Sequence, residues 1–184
     1  MAKDHEPHDD PTDLELIARW RAGDERAATC LVERHAPALA RFAWSLGQRS
    51  DVEEIVQDTF VRAFGSIDAF RADSSLRTWL FTIERRLVLD RRRAERRRRD
   101  DATIDDADAA TEFNALDGLV AEEAETRVRR AVDRLSRLQR EVFLLRVNEG
   151  LSYKDIAEIV GSTEGAARVH YHNAMRAVKE SLYV

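Results

Sequence analysis

The sequence has little of several residue types, and each shortage excludes a class of protein. Its single cysteine, Cys30, excludes an internal disulfide framework, as expected of a reducing compartment. No apolar run approaches the roughly 18–20 residues that span a bilayer, and the acidic first residues lack the apolar core of a secretion signal. With only 3 prolines and 7 glycines, the chain favours helix over strand. We expect an all-α, cytoplasmic protein with no membrane insertion.

Sequence patterns of catalysis and metal binding are also missing. The chain has no glycine-rich phosphate loop, no cluster of metal ligands and no pairing of a nucleophile with a base. His170 and His172 do not make a metal site, because positions two apart on a helix point about 200° apart. We predict that the protein is not an enzyme and has no metal and no cofactor.

Charge is abundant and sharply separated along the chain. Charged residues make up 35% of the sequence, and the net charge is −5. Nine arginines lie between Arg85 and Arg99, whereas residues 100–125 carry ten Asp or Glu and no Lys or Arg. The density of arginine favours a site for a polyanion over a solvated helix end. The acidic segment 100–125 is predicted to be a flexible linker.

The linker divides the chain into two predicted helical units, 13–99 and 126–184, preceded by a disordered tail at 1–12. In the first unit, Pro37 is predicted to lie in the first turn of a helix, 37–47. Residues 51–67 are predicted to form an amphipathic helix with one apolar stripe. A longer helix is predicted to begin at Leu76 and to end in the arginine run.

Two features of the first unit fit more than one use. The polar face of helix 51–67 carries Asp51, Glu54, Gln57 and Asp58. From the pattern alone we favour a solvated face, although the acids would also suit a basic partner helix. Trp79 and Phe81 precede the arginines, and aromatic rings beside basic residues can stack on unpaired bases. Trp79 shares its stripe with Leu76 and Leu80, so packing in the core is the favoured interpretation.

The second unit contains a helix, a tight turn and a second helix, "LSYKDIAEIVGSTEGAARVHYHNAMRAVKESL". Ser152 is predicted to cap the first helix, Gly161 to supply the turn, and Ser162 or Thr163 to cap the second helix. The second helix presents Arg168, His170, His172, Asn173 and Arg176. Such a helix suits the major groove, where Arg reads guanine and Asn reads adenine. A helical hairpin with a solvated polar face fits the same spacing almost as well.

Together the two units resemble an extracytoplasmic-function sigma factor, a small member of the sigma-70 family, over roughly 13–99 and 126–182. "DVEEIVQDTFVRAF" is similar to the second conserved region, which grips the clamp of RNA polymerase. "FRADSSLRTWLFTIERRLVLDRRR" is similar to the element that recognises and melts the −10 promoter sequence. "LQREVFLLRVNEGLSYKDIAEIVG" and the helix after it resemble the fourth region, which reads the −35 sequence. The order and spacing of the three motifs carry the resemblance.

The resemblance implies partners and roles for individual residues. The partners are core RNA polymerase, through its β′ clamp and β flap, promoter DNA and an anti-sigma factor. Core polymerase would be bound by Asp51, Glu54, Gln57 and Asp58. The −10 element would be bound by Phe70, Arg71, Asp73, Ser74, Trp79, Arg85, Arg86, Asp90 and Arg93, with the loop 70–75 capturing a flipped base. The −35 element would be bound by Arg168, Val169, His170, His172, Asn173 and Arg176.

The acidic linker also gains an interpretation from the family. In this family the connecting segment threads the path of the RNA, so an acidic chain there can mimic RNA. A plain spacer explains the composition equally well.

The sequence departs from the family pattern in both DNA-binding helices. Thr82, Glu84 and Arg86 stand where the family commonly has Arg, Ala and Asn, and the recognition helix has fewer basic residues than usual. We therefore expect altered −10 readout, an unusual −35 preference and weaker binding at the −35 element.

Two other functions compete with the sigma-factor interpretation. The main rival is a helix-turn-helix regulator that uses only 139–182 and binds duplex DNA without core polymerase. A weaker rival is an adaptor that binds a sigma factor or polymerase and never touches DNA, against which the arginine run counts.

Overall fold

The structure, a computed structural model, describes residues 10–48, 50–100 and 121–182. Over these ranges it is built from helices, with no strand, which confirms the all-α prediction. The helices are α1 Asp13–Arg21, α2 Glu25–Ser45, α3 Val52–Gly65, a short 3-10 helix Ile67–Ala69, α4 Leu76–Asp100, α5 Ala121–Asp133, α6 Arg137–Val147, α7 Tyr153–Val160 and α8 Glu164–Leu182. None of these described helices is long and apolar enough to cross a membrane. Most of the predicted tail and linker falls outside the described residues.

Helices α1 and α2 begin after capping residues, and the structure corrects one predicted helix start. Thr12 starts α1 in a capping box. Its Oγ1 accepts a hydrogen bond from the Glu15 backbone N–H at 3.3 Å, and the Glu15 carboxylate accepts one from the Thr12 backbone N–H at 2.7 Å. The predicted helix start at Pro37 is wrong, because α2 is continuous from Glu25 and contains Pro37. The apolar stripe of α2, which includes Leu31 and Leu39, is buried on both sides of the proline. Packing of that stripe offsets the helical hydrogen bond that proline cannot donate.

The amphipathic pattern of α3 is confirmed, since Ile55, Phe60 and Ala63 are buried against the first unit's core. Ser75 caps the start of α4, where its Oγ accepts from the Thr78 backbone N–H at 3.0 Å. The stripe of α4 then enters the same core through side chains such as Leu80.

The second unit forms the predicted helix-turn-helix. Ser152 Oγ caps α7 by accepting from the Asp155 backbone N–H at 3.1 Å. Gly161 ends α7 with φ +68°, a left-handed conformation that glycine adopts without steric cost. Thr163 caps α8, accepting from the Ala166 backbone N–H at 3.2 Å. The first described helix of the second unit, α5, begins at Ala121, within the segment predicted as the linker. The limits of the two domains stay a prediction.

The two units pack directly on each other. Helix α4 lies against α7, and α2 lies against α6. Buried side chains from both units join in one apolar cluster, in which Phe81 of α4 and Val142, Leu145 and Ile156 of the second unit are fully buried. We call this packing of the second unit on the first the closed arrangement. It is favoured because it removes apolar surface of both units from water.

Candidate polymerase and nucleic-acid interfaces

The loop predicted to capture a base borders a cavity of about 710 Å³. The cavity is lined by Thr12, Asp13, Leu14, Arg34, Phe70, Ala72, Asp73, Ser74, Ser75, Leu76 and Asp155. Ala72 has φ +58°, a conformation that costs a non-glycine residue free energy and is found at functional loops. The loop therefore borders a space, lined by polar and apolar atoms, that has room for a nucleobase.

The opposite wall of the cavity was not predicted from the sequence. Arg34 donates to Asp13 at 2.7 Å and to the Pro11 carbonyl at 2.8 Å, and His35 Nε2 lies 2.9 Å from the other Asp13 oxygen. Burial acts to raise the pKa of Asp13, but the hydrogen bonds with His35 and Arg34 outweigh it and lower the pKa. The only signal in the sequence was the position of His35 on the buried stripe of α2.

The residues expected at the −10 element have different exposures. Phe70 and Trp79 are half-buried, with ring centroids 5.2 Å apart, so that Trp79 packs against the core of the first unit. Arg71, Asp73, Arg86, Asp90 and Arg93 are exposed. Ser74 and Arg85, in contrast, bind the second unit, as Ser74 Oγ donates to Glu158 at 2.9 Å and Arg85 Nε donates to Glu141 at 2.6 Å. The closed arrangement therefore occupies part of the predicted −10 surface.

The arginine run of α4 serves two purposes. Arg91 and Arg92 turn back onto the first unit, where Arg92 donates to the Leu46 carbonyl at the end of α2. Burial lowers the pKa of Arg92. Among the described side chains of the run, Arg86, Arg93, Arg96, Arg97 and Arg98 are exposed. The predicted polyanion surface is thus formed by these arginines rather than by the whole run.

The residues predicted to bind core polymerase lie on the outer face of α3. Glu54 and Asp58 are one turn apart and share Arg91, which donates to them at 2.8 Å and 2.7 Å. Gln57 is exposed, and Asp51 is half-exposed at the start of the helix. Because Arg91 is anchored on α4, it fixes the two carboxylates in position beside Gln57.

The polar face of α8 is exposed while its apolar side packs on α5, α6 and α7. Arg168 pairs with Glu164 at 2.9 Å and lies 4.9 Å from the centroid of the Tyr153 ring. Val169, His172 and Arg176 are exposed, and His170 and Asn173 are half-buried. The described residues contain no group of three metal-ligating side chains that could hold an ion. The geometry is that of a helix-turn-helix whose second helix is open to a DNA groove.

Comparison with known proteins matches both units to one family. A family model of Sigma-70 region 2 matches residues 31–98, and a model of Sigma-70 region 4 matches residues 125–178. The chain is 30% identical to the ECF RNA polymerase sigma-E factor of Haemophilus influenzae over 93% of this chain and 95% of that protein. It is 36% identical to the ECF RNA polymerase sigma factor EcfG of Rhodopseudomonas palustris over 80% and 81%.

A solved structure is similar as well. The sigma factor RpoE of Bartonella quintana, in complex with the anti-sigma factor NepR, superimposes with a TM-score of 0.64 and 32% identity. The match covers 88% of this chain and 98% of that one.

Proposed function

The chain belongs to the extracytoplasmic-function sigma factors of RNA polymerase, and we propose that three separate surfaces carry out its work in the cytoplasm. A sigma factor of this type directs core polymerase to specific promoters and assists melting of the −10 element; it belongs to a class of non-enzymatic transcription factors. The observation that carries the assignment of surfaces is the cavity beside loop 70–75, which lies at the start of the arginine-bearing α4.

The first surface is the outer face of α3, which binds the β′ clamp of core polymerase through Asp51, Glu54, Gln57 and Asp58. The anchored pair of carboxylates supports this role, because charged groups held in place lose little entropy on binding. Gln57→Ala is the sharpest probe, since it removes an exposed side chain without breaking the Arg91 pairs. We expect affinity for core polymerase to fall by about tenfold. The control is Glu33→Ala, which changes an exposed side chain of α2. Equal affinities would refute this assignment.

The second surface is the −10 site, formed by the cavity, loop 70–75 and α4. A base extruded from the non-template strand exchanges stacking with its neighbours for contacts in a protein pocket. Exposed Arg86 and Arg93 then position the strand through its phosphates. The assay is binding of holoenzyme to single-stranded −10 oligonucleotides that differ at one base.

The variant for that assay is Asp73→Ala, which changes the cavity lining. We expect it to reduce discrimination between bases by about tenfold, corresponding to about 1.4 kcal/mol. Asp68→Ala, an exposed residue outside the cavity, is the control. Unchanged discrimination in Asp73→Ala would contradict the role of the cavity.

The third surface is the exposed face of α8, which reads the −35 element through Arg168, Val169, His170, His172, Asn173 and Arg176. Arg168 is already oriented by Glu164 and the Tyr153 ring. Arg168→Ala should relax specificity at one base pair by about 1–3 kcal/mol. Lys179→Ala, an exposed basic residue at the far end of α8, should weaken binding without changing the preferred sequence. The reverse pattern would contradict the assignment.

An anti-sigma factor is the regulator that the similar Bartonella complex suggests. The RpoE protein of that structure is bound to NepR, and we infer that this chain is likewise held by a partner that competes with polymerase. Competition between a candidate anti-sigma protein and core polymerase for the purified chain tests the inference. Simultaneous binding of both would overturn it.

A further inference from the structure

A cluster of ion pairs joins the two units at the junction of α2, α4 and α6. Arg41 of α2 binds both oxygens of Glu149 at 3.0 Å and 3.1 Å, and Arg77 of α4 binds the carboxylate and the backbone carbonyl of Glu149. On the other side, Glu141 is held by Arg85 at 2.6 Å and by Arg137 at 3.0 Å. Both glutamates are almost fully buried. Arg77 and Arg85 of α4 are therefore ion-paired with glutamates of the second unit.

Between these pairs lies a carboxyl group with no partner. Glu84 of α4 is 0% exposed, and neither of its oxygens meets a hydrogen-bond donor among the described residues. It lies one residue before Arg85 and two helical turns after Arg77, and those arginines are bonded to Glu141 and Glu149. A carboxylate buried without a donor or a counter-ion is costly, whereas the protonated acid is much less so.

The charges around Glu84 do not offset this cost. Several charged groups make contacts at the junction. They are Arg41 on α2, Arg77, Arg85 and Arg92 on α4, Arg137 and Glu141 on α6, Glu149 after α6, and Asp155 and Glu158 on α7. Glu54 and Asp58 of α3 instead pair with Arg91, two turns further along α4. Burial, with repulsion from Glu149 second, raises the pKa of Glu84 well above its usual range. The closed arrangement therefore favours the protonated, neutral form of the Glu84 carboxyl.

We propose that Glu84 is a proton-dependent latch: the second unit closes over α4 when the Glu84 carboxyl is protonated, and it is released when the carboxyl ionises. The complete burial of Glu84, its lack of a hydrogen-bond donor and its place on α4 between Arg77 and Arg85, which pair with glutamates of the second unit, carry this proposal.

Closure withholds part of the proposed −10 surface. Arg85 is only 17% exposed while it binds Glu141, Ser74 donates to Glu158, and Asp155 of α7 forms part of the cavity wall. Use of that surface by DNA requires the second unit to move away. The latch thus couples pH to the availability of the −10 surface, and this consequence rests on the proposed function.

The direction of the pH effect follows from the raised pKa. Below the ordinary glutamate pKa the group is protonated in both the open and closed arrangements, and closure carries no charge penalty. As pH rises from the ordinary pKa to the raised pKa of the closed form, opening releases a proton and closure weakens. The limiting slope is about tenfold in the closed-to-open ratio per pH unit.

The test uses the full chain without DNA or polymerase. One fluorophore is attached to the native Cys30, an exposed residue of α2. The other is attached to a cysteine introduced by Glu180→Cys, at an exposed position of α8. Energy transfer is measured from below the ordinary glutamate pKa to neutral pH for wild type, for Glu84→Gln and for Glu84→Met. Glu33→Gln, exposed on α2, is the matched control, and helical circular dichroism verifies folding at each pH.

We expect the closed fraction of wild type and of Glu33→Gln to fall as pH rises. The closed-to-open ratio should fall by up to about tenfold per pH unit. Both Glu84 variants should lose this dependence and remain more closed than wild type at neutral pH. The proposal is overturned if wild type and the Glu84 variants follow the same course, or if the variants are more open at neutral pH. Since no DNA is present, either result is independent of the proposed promoter contacts, which the oligonucleotide assays test separately.

Discussion

Replacing Glu149 by Gln removes one of the two buried carboxylates that join the units, while preserving side-chain volume. Arg41 is 54% exposed, so its pair contributes little, about 0.2–1 kcal/mol. Arg77 is 34% exposed and its partner is 3% exposed, so its charged hydrogen bonds contribute more, about 1 kcal/mol after allowance for solvent. The sum is about 1–2 kcal/mol. At about 1.36 kcal/mol per factor of ten, the closed-to-open ratio should fall by about 5–30-fold.

The same substitution has a second effect that separates electrostatics from packing. Loss of the Glu149 charge removes the repulsion that helps to raise the pKa of Glu84. The pH range over which the chain opens should therefore shift to lower values in Glu149→Gln. The energy-transfer assay with labels at positions 30 and 180 measures both effects, and Glu158→Gln, whose exposed carboxylate binds only Ser74 among the contacts described, should change the ratio less than twofold. An unchanged ratio and an unchanged pH range in Glu149→Gln would refute the reasoning.

Three further predictions concern stability. Phe81→Ala should destabilise the chain by about 3–5 kcal/mol in urea unfolding, because Phe81 is fully buried where both units meet; a loss below 1 kcal/mol would show that this core is not closed in solution. The pKa of Asp13 is lowered by His35 and Arg34, so its stabilising contribution is present above pH 3.8 and is lost as pH falls through the lowered value; unfolding of Asp13→Asn should show a weaker acid dependence, and an identical dependence would contradict the assignment. Ser152→Ala should cost about 0.5–2 kcal/mol in thermal unfolding through loss of the α7 cap, whereas no loss would mean that α7 needs no cap.

Local features of the fold could be predicted from the sequence because they depend on neighbouring residues. The stripe of α3 follows from the 3.6-residue period, and the turn of the helix-turn-helix follows from Gly161, which adopts φ +68°. The prediction at Pro37 failed for a related reason. A local rule places proline in a first turn, but burial of the α2 stripe on both sides carries the helix through it.

The junction and the cavity wall could not be predicted. Arg41 and Glu149 are 108 positions apart, and Arg34 and Asp13 are 21 positions apart, so no periodic pattern connects them. Glu84 did stand out in the sequence as a departure from the family pattern, but no sequence pattern indicates that it is fully buried without a hydrogen-bond partner. Which arginines of the run face solvent likewise depends on the tertiary contacts of Arg91 and Arg92.

The most direct test of the central claim is promoter selection by holoenzyme. The purified chain is combined with bacterial core RNA polymerase, bound promoters are selected from a genomic library, and transcript starts are sequenced. We predict that the starts share fixed −35 and −10 elements, and that they disappear when Gln57 and Asp58 are both changed to Ala but not in the Glu33→Gln control. Failure to bind core polymerase, together with retention of duplex DNA by the chain alone, would contradict the account.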